Sequence, residues 1–468
     1  MNAKLHHLPT LVLLCASLLG TSPSAFAQRD DDYPHKQTVQ AYIEAFNSGD
    51  DAKVSAFFTA NLAALSLQQR PMAERLERYR SMHDNLKSLT LRGIAQVEMS
   101  AEKQSITAEM HAGNGEALTV TFDFDPQPPN KLVSLGIQLG APGEGPPPRE
   151  ASAKPATKMS QAEFKQQLGA YLEEASKQEE FSGVVLVAKH GAPIFEHAYG
   201  YADKPAKAPN RLDTKFNLGS INKTFTRMSI EQLVAAGKLS MDDTIAKILP
   251  DYPNQEVASK VNVRQLLNMT SGIGDFFNER YDATPKEKIR TLADYLPLFA
   301  DKPLLFAPGT GQAYSNGGYV VLGLMIEKLS GESYYEYVKH HIFEPAGMAD
   351  TEYYFTDQKV TNRAEGYSKK LGDGKDWVNN RISRPWRGSS AGGGYSTAGD
   401  LLKFAIALAT GKLKSSNSGL GIAGGAQGTN AVLESDPQTG LTVVVLSNYD
   451  PPSAERVARQ IREWVRGI

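Results

Sequence analysis

A serine and a lysine three residues apart are the first chemical feature of the chain. In FNLGSINKTFTRMSIEQLVAAGKL, Ser220 and Lys223 open a stretch of helical periodicity, so one turn brings both side chains to the same face. A serine hydroxyl becomes a nucleophile only when a base takes its proton, and a lysine is such a base only where burial disfavours its ammonium form. Ser100 and Lys103 have the same spacing, so proximity must be joined by desolvation before the pair carries meaning. The second feature is Tyr314, Ser315 and Asn316 in APGTGQAYSNGGYVVLG, where Pro308, Gly309 and Gly311 predict a loop entering a helix. Tyr314 is a proton acceptor if nearby cations favour its phenolate, and the Asn316 amide can hydrogen-bond a substrate amide or Lys223. Tyr252 and Asn254 in DYPNQ echo this pattern and serve as an internal comparison.

These groups need elements to hold them. Ser160 and Glu163 form a capping-box pattern ahead of Phe164, Leu168, Tyr171 and Leu172, which predicts a helix start. FSGVVLVAKHG and APIFEHAYGYAD are two β-rich runs joined around Lys189 to Pro193. TNAVLES and LTVVVLSNYD form another pair joined near Gln438 to Gly440, and Ala454 to Val465 is helical again. Strand pairs at both ends with helices between them imply that the ends build one antiparallel sheet and the middle a helical lobe, with a site between the two.

Upstream, GAPGEGPPPREASAKPATKM at 140–159 has the composition of an extended spacer and divides the chain. Before it, Val39, Tyr42, Ile43 and Phe46, then Val54, Phe57 and Phe58, predict two short packed helices. Period-two alternation at Leu118, Val120, Phe122 and Phe124 predicts a strand, with others at 89–99, 104–111 and 131–139. Helices followed by strands make residues 28–139 an α+β domain. At the start, Lys4, the apolar run Leu11 to Leu19 and the small-residue site ending at Ala27 have the order of a secretory signal at 1–27. Cys15, the sole cysteine, lies inside it, so the exported chain is expected to carry neither disulfides nor thiolate metal sites. The expected location is periplasmic or secreted, with no membrane anchor.

The 50 Lys and Arg against 52 Asp and Glu leave a net charge of -2, which excludes a general field for holding a nucleic acid. No cofactor or metal is expected, since the nine histidines lack ligand spacing and His340 and His341, being adjacent, should face different sides of a helix. Trp386 beside Pro385 reads as packing or as part of a cleft mouth, and Asp30 to Asp32 as a solvated leader.

Taken in order, FNLGSINKTFT, GKLSMDDTIAKILPDYPN, VNVRQLLNMTSGIGDFF, FAPGTGQAYSNGGYVVLGLMIEKLSG, IFEPAGMADTEYY and GGGYSTAGDLLKF resemble the serine β-lactamase-like superfamily over roughly residues 162–467. That superfamily includes class C β-lactamases, D-alanyl-D-alanine carboxypeptidases and related esterases. The resemblance implies an α+β fold, an antiparallel sheet flanked by helices and packed on an all-helical lobe, within a domain at 160–468. It implies Ser220 as nucleophile, Lys223 as base or proton relay, Tyr314 as second proton-transfer group and Asn316 as substrate-positioning amide. Whether Lys223 or Tyr314 is the base stays open. The upstream run YIEAFNSGD, followed by FF and the strands, resembles nuclear-transport-factor-2-like cones, which implies a structural or ligand-cupping role.

The chain departs from this family at the third motif. Relatives place Lys or His two residues before a Gly on an edge strand; the matching stretch here is Ile422, Ala423, Gly424 in GIAGGAQGTNAVLE. Isoleucine neither transfers a proton nor binds a carboxylate, and only Leu401 to Gly421 separate this motif from GGGYSTAGD, a shortened interval. Backbone can still serve: the Gly425 N–H beside that of Ser220 would form an oxyanion hole on the Gly424 strand, since such donors need only geometry. Asn268 and Met269 stand where relatives have Thr and His, a structural position. Two functions follow. One is an exported serine hydrolase that acts through an acyl-enzyme on an ester, amide or peptide bond of a small-molecule or peptide substrate. The other is a non-catalytic relative that binds wall fragments, peptides or a protein partner.

Overall fold

The computed structural model describes residues 33–63, 66–67, 72–99, 104–115, 117–139, 159–415 and 419–465. The expected signal with Cys15, the Asp30 to Asp32 run, Ser100 with Lys103, and the spacer up to residue 158 lie outside them. The chain divides into two compact units, Met1–Arg149 and Glu150–Ile468.

The first unit is helical, then β. Helices α1 (Lys36–Asn47), α2 (Asp51–Asn61) and α3 (Met72–Leu86) precede strands β1 (Leu89–Met99), β2 (Gln104–Ala112), β3 (Ala117–Phe124) and β4 (Leu132–Leu139). The strands pair in sequence order as one antiparallel sheet. Ile106, Ala108 and Met110, with Val120, Phe122 and Phe124, bury the alternate face against Val39, Tyr42, Phe46, Phe57 and Tyr79. The expected two helices are therefore three. The third has a charge-dense sequence, and its apolar stripe of Met72, Leu76, Tyr79, Met82 and Leu86 packs on that core.

In the second unit, Ser160 caps α4 (Gln161–Lys177) through a full capping box with Glu163. Strands β5 (Gly183–Lys189) and β6 (Ala192–Tyr199) come first, the short β7 (Phe216–Asn217) and β8 (Tyr395–Ser396) lie at the site, and β9 (Leu420–Ala426), β10 (Thr429–Asp436) and β11 (Leu441–Ser447) close the chain before α8 (Ser453–Val465). Between them run α5 (Asn222–Ala235), α6 (Asn316–Ser330) and α7 (Ala398–Ala409), with shorter helical turns. The main sheet has five antiparallel strands in the order β9-β10-β11-β5-β6.

Its central strands read as unbroken apolar runs because both faces are covered. Val185, Val187, Val443 and Val445 face α4 and α8 through Phe164, Leu168, Leu172, Val457 and Ile461. The alternate residues Val184, Leu186, Val444 and Leu446 face the helical lobe through Leu218, Phe225, Val320 and Phe404. Each such side chain removed from water contributes about 1.5 to 3 kcal/mol. One strand register thus clamps the helical lobe to the sheet, and β9, at the sheet edge, is left to border the site.

Among the described residues, no helix is long and apolar enough to cross a membrane.

Candidate active site

Ser220 sits in a 3-10 turn, Gly219–Ile221, that leads straight into α5. The turn is pinned from both sides. β7 pairs antiparallel with β8, and the Leu218 N–H donates to the Gly394 carbonyl at 2.8 Å. The Asn222 side chain accepts from the Gly394 N–H at 3.0 Å, and Gly219 N–H donates to Asn217 Oδ1 at 2.9 Å. Gly219 has φ +51°, and an added Cβ would lie 2.9 Å from the Gly425 nitrogen. Backbone from β9 therefore lies directly against the turn, and Gly424 is seated against Leu218 and Ser220 in the same way.

Lys223, three residues after Ser220, is the second residue of α5 and is 8% exposed. Its Nζ is 2.6 Å from Asn316 Oδ1, 2.6 Å from the Ala391 carbonyl oxygen and 3.2 Å from Ser220 Oγ. The faces of Tyr314 and Tyr319 approach the same nitrogen at 4.6 and 5.5 Å. Burial brings the Lys223 ammonium down from 10.5 to about 7, with the Asp275 carboxylate pulling the other way. A neutral amine has two N–H bonds, which the Asn316 and Ala391 oxygens take as acceptors. Its lone pair is then left for the third neighbour, the Ser220 hydroxyl.

Tyr314 hydroxyl is 2.5 Å from Ser220 Oγ. The residue as a whole is 56% exposed, while its hydroxyl end lies against the serine. Burial of that end raises the phenol, opposed by the Ser220 hydrogen bond. The phenolate condition set out from the sequence is not met: near neutrality Tyr314 is a phenol, because desolvation outweighs the bond that favours its anion.

Asn316 begins α6, whose N-cap Ser315 accepts from Gly318 N–H at 2.8 Å. Both ends of its amide are engaged, Oδ1 by Lys223 and Nδ2 by Asp275 Oδ2 at 2.7 Å. Asp275 was not among the sequence candidates. In SGIGDFF it has no spacing to the serine or lysine, and an Asx turn, its Oδ1 accepting from Phe277 N–H at 3.0 Å, is the usual reading of such an aspartate.

Ile422 packs its side chain against the core below β9. Met269 adopts a left-handed φ of 61° and holds the Tyr314 loop, accepting from Ala313 N–H at its carbonyl and from Ser315 N–H at its sulfur. The comparison pair separates from the site: Tyr252 is buried in the core, and Asn254 caps a helix by accepting from Val257 N–H. Trp386 donates to Asp357 at 3.1 Å under the Arg290 guanidinium. The expectation for the histidines needs correction. His340 Nδ1 and His341 Nε2 both reach Glu332, at 2.9 Å each, because residues 339–343 form a wider π-helical turn that lets neighbours converge. Among the described residues, no group of three or more His, Cys, Asp or Glu side chains is arranged to hold a metal ion.

A buried lysine beside a serine and a tyrosine, on a helix packed under an antiparallel sheet, defines a class: serine active-site proteins of the β-lactamase-like fold. Residues 168–420 match the Beta-lactamase family model, and the chain belongs to that family. It is 35% identical over 200 residues to a penicillin-binding protein of Bacillus subtilis (strain 168), covering 42% of this chain and 44% of that protein. The chain thus spans under half the length of that relative. Esterase EstB of Burkholderia gladioli is 29% identical over 280 residues, 53% of this chain and 71% of that one. Among solved structures, a penicillin binding protein from Bacillus halodurans superposes with TM-score 0.57 at 30% identity, over 62% of this chain and 98% of that one.

Proposed function

We propose that the protein is a serine hydrolase of β-lactamase type that works through an acyl-enzyme, with Ser220, Lys223 and Tyr314 as its catalytic residues. The observation that carries this reading is the Lys223 amine, buried, brought down by that burial to about 7, and 3.2 Å from Ser220 Oγ. As Ser220 Oγ bonds to the substrate carbonyl carbon, its proton passes to Lys223 Nζ. The carbonyl oxygen becomes an oxyanion held by the Ser220 and Gly425 N–H groups. When the tetrahedral intermediate collapses, the Tyr314 hydroxyl gives its proton to the leaving group and is reprotonated from Lys223. Water then attacks the acyl carbon, loses its proton to Lys223, and expels Ser220, which is reprotonated. This order assigns the base role to Lys223 and the acid role to Tyr314, because burial lowers the lysine and raises the phenol.

The substrate in this reading is an ester, amide or internal peptide without a free carboxylate. The aliphatic Ile422, packed down against the core, supports it, and the relative named an esterase agrees with it. The signal pattern at 1–27 makes the working location periplasmic or secreted. The test is covalent labelling: incubate the protein with a fluorophosphonate probe, map the adduct by mass spectrometry, and measure p-nitrophenyl butyrate hydrolysis. The adduct belongs on Ser220 and disappears in Ser220→Ala. A folded wild type that is never labelled refutes the proposal and leaves a recognition protein. Efficient turnover of a penicillin without any ester hydrolysis refutes the substrate class alone.

A further inference from the structure

Asp275 touches neither Ser220 nor Tyr314, yet it ends the hydrogen-bond chain that begins at the lysine. Lys223 Nζ donates to Asn316 Oδ1 at 2.6 Å, and Asn316 Nδ2 donates to Asp275 Oδ2 at 2.7 Å. The carboxylate is itself held: its other oxygen accepts from Phe277 N–H, and its loop is fixed to the start of α6 by the Ser315 hydroxyl, which donates to the Gly274 carbonyl at 3.1 Å. A carboxylate accepts only, so it can bind only the Nδ2 end of the amide. That choice turns the oxygen end toward Lys223. With the amide reversed, two donors would face each other and the lysine would lose one of the two oxygens, of Asn316 and Ala391, that take its N–H bonds.

We propose that Asp275 is a positioning residue of the active site, which orients the Asn316 amide and holds part of the Lys223 charge across it. The assignment rests on the hydrolase reading above and extends it to Asp275, which lies in one of the quoted segments but received no role from the resemblance. Asn316 then serves as the link between a carboxylate and the base. The groups facing Lys223 are Ser220 from its own turn, Tyr314 from the loop, Tyr319 from α6 with Arg227 beyond it, the Ala391 carbonyl, and Asp275 through Asn316. Asp275 is the sole carboxylate among those named, so its removal leaves the lysine ammonium less favoured.

The experiment separates charge from orientation. The rate of Ser220 labelling by the fluorophosphonate probe is measured from pH 5 to 9 for wild type, Asp275→Asn and Asp275→Ser, with thermal melts alongside. Asparagine removes the charge but keeps an acceptor for Asn316, so the acid limb should move to lower pH by about one unit. Serine is too short to reach Asn316. Its limb should move the same way, and its plateau should fall by about tenfold or more. Limbs that stay in place or move to higher pH overturn the assignment. Failure of both variants to fold overturns it as well, giving Asp275 a role in the fold alone. A wild type never labelled at Ser220 sinks the hydrolase reading itself, whereas a labelled wild type with unmoved variants sinks only the role of Asp275.

Discussion

Replacing Gly424 by alanine tests whether the close seat of β9 on the nucleophile turn is what the chemistry needs. An alanine Cβ there would lie 2.1 Å from the Leu218 carbonyl oxygen and 2.7 Å from the Ser220 nitrogen. Both neighbours are backbone, so no rotamer change relieves the contact, and strand and turn must part by about 1.3 Å or more to reach ordinary van der Waals distance. A displacement of that size at an oxyanion donor lowers acylation by about 100 to 1,000-fold. Gly421 provides the control on the same strand, since a Cβ there meets nothing within 4 Å. Initial rates with p-nitrophenyl butyrate are compared for Gly424→Ala, Gly421→Ala and wild type, with melting temperatures to confirm that each remains folded. The expected pattern is a collapse of rate in the first variant and a rate within about twofold of wild type in the second. A folded Gly424→Ala enzyme at wild-type rate would refute the argument that β9 backbone forms half of the oxyanion hole.

Three further outcomes are expected. Tyr314→Phe should lower acylation by about 100-fold or more while leaving the melting temperature nearly unchanged, because the residue is 56% exposed and acts through its hydroxyl. Lys223→Met should change the pH dependence of stability in a definite direction. The lysine titrates near 7 when folded against an ordinary 10.5, so between those values the unfolded wild type binds more protons and wild-type stability gains with rising pH. Relative to the methionine variant, wild type should therefore gain up to about 1.4 kcal/mol per pH unit over that window, and urea titrations at pH 7, 8 and 9 read it directly. Asp400→Ala should cost about 3 kcal/mol, since this 1% exposed carboxylate accepts from Asp350 N–H, Thr351 hydroxyl and Lys403. Ser220 labelling should survive in that variant at low temperature, which a denaturation series and the probe together can check.

Much of the scaffold was legible because its signals are local. The strand runs around Val184 to Ala188 and Val443 to Leu446, the Ser160 cap and the Ser220 to Lys223 spacing each follow from a short window of chain and a known periodicity. The third helix of the first unit escaped because its apolar stripe, Met72, Leu76, Tyr79, Met82 and Leu86, is set among many charged residues and its burial depends on a core supplied from elsewhere. The convergence of His340 and His341 on Glu332 escaped because a π-helical turn has no composition signal of its own.

The sequence by itself determined that a serine and a lysine share one face of a helix start, since helical geometry is settled within four residues. It also determined that a glycine pair precedes the last two strands. It did not determine that this lysine is dry: Ser100 and Lys103 carry the same spacing, and nothing in either window tells them apart. The tertiary structure decided that, by bringing Tyr314, Asn316 and Ala391 around one nitrogen from 91, 93 and 168 residues further along the chain. Desolvation is a property of everything that surrounds an atom, and only a folded chain can surround it.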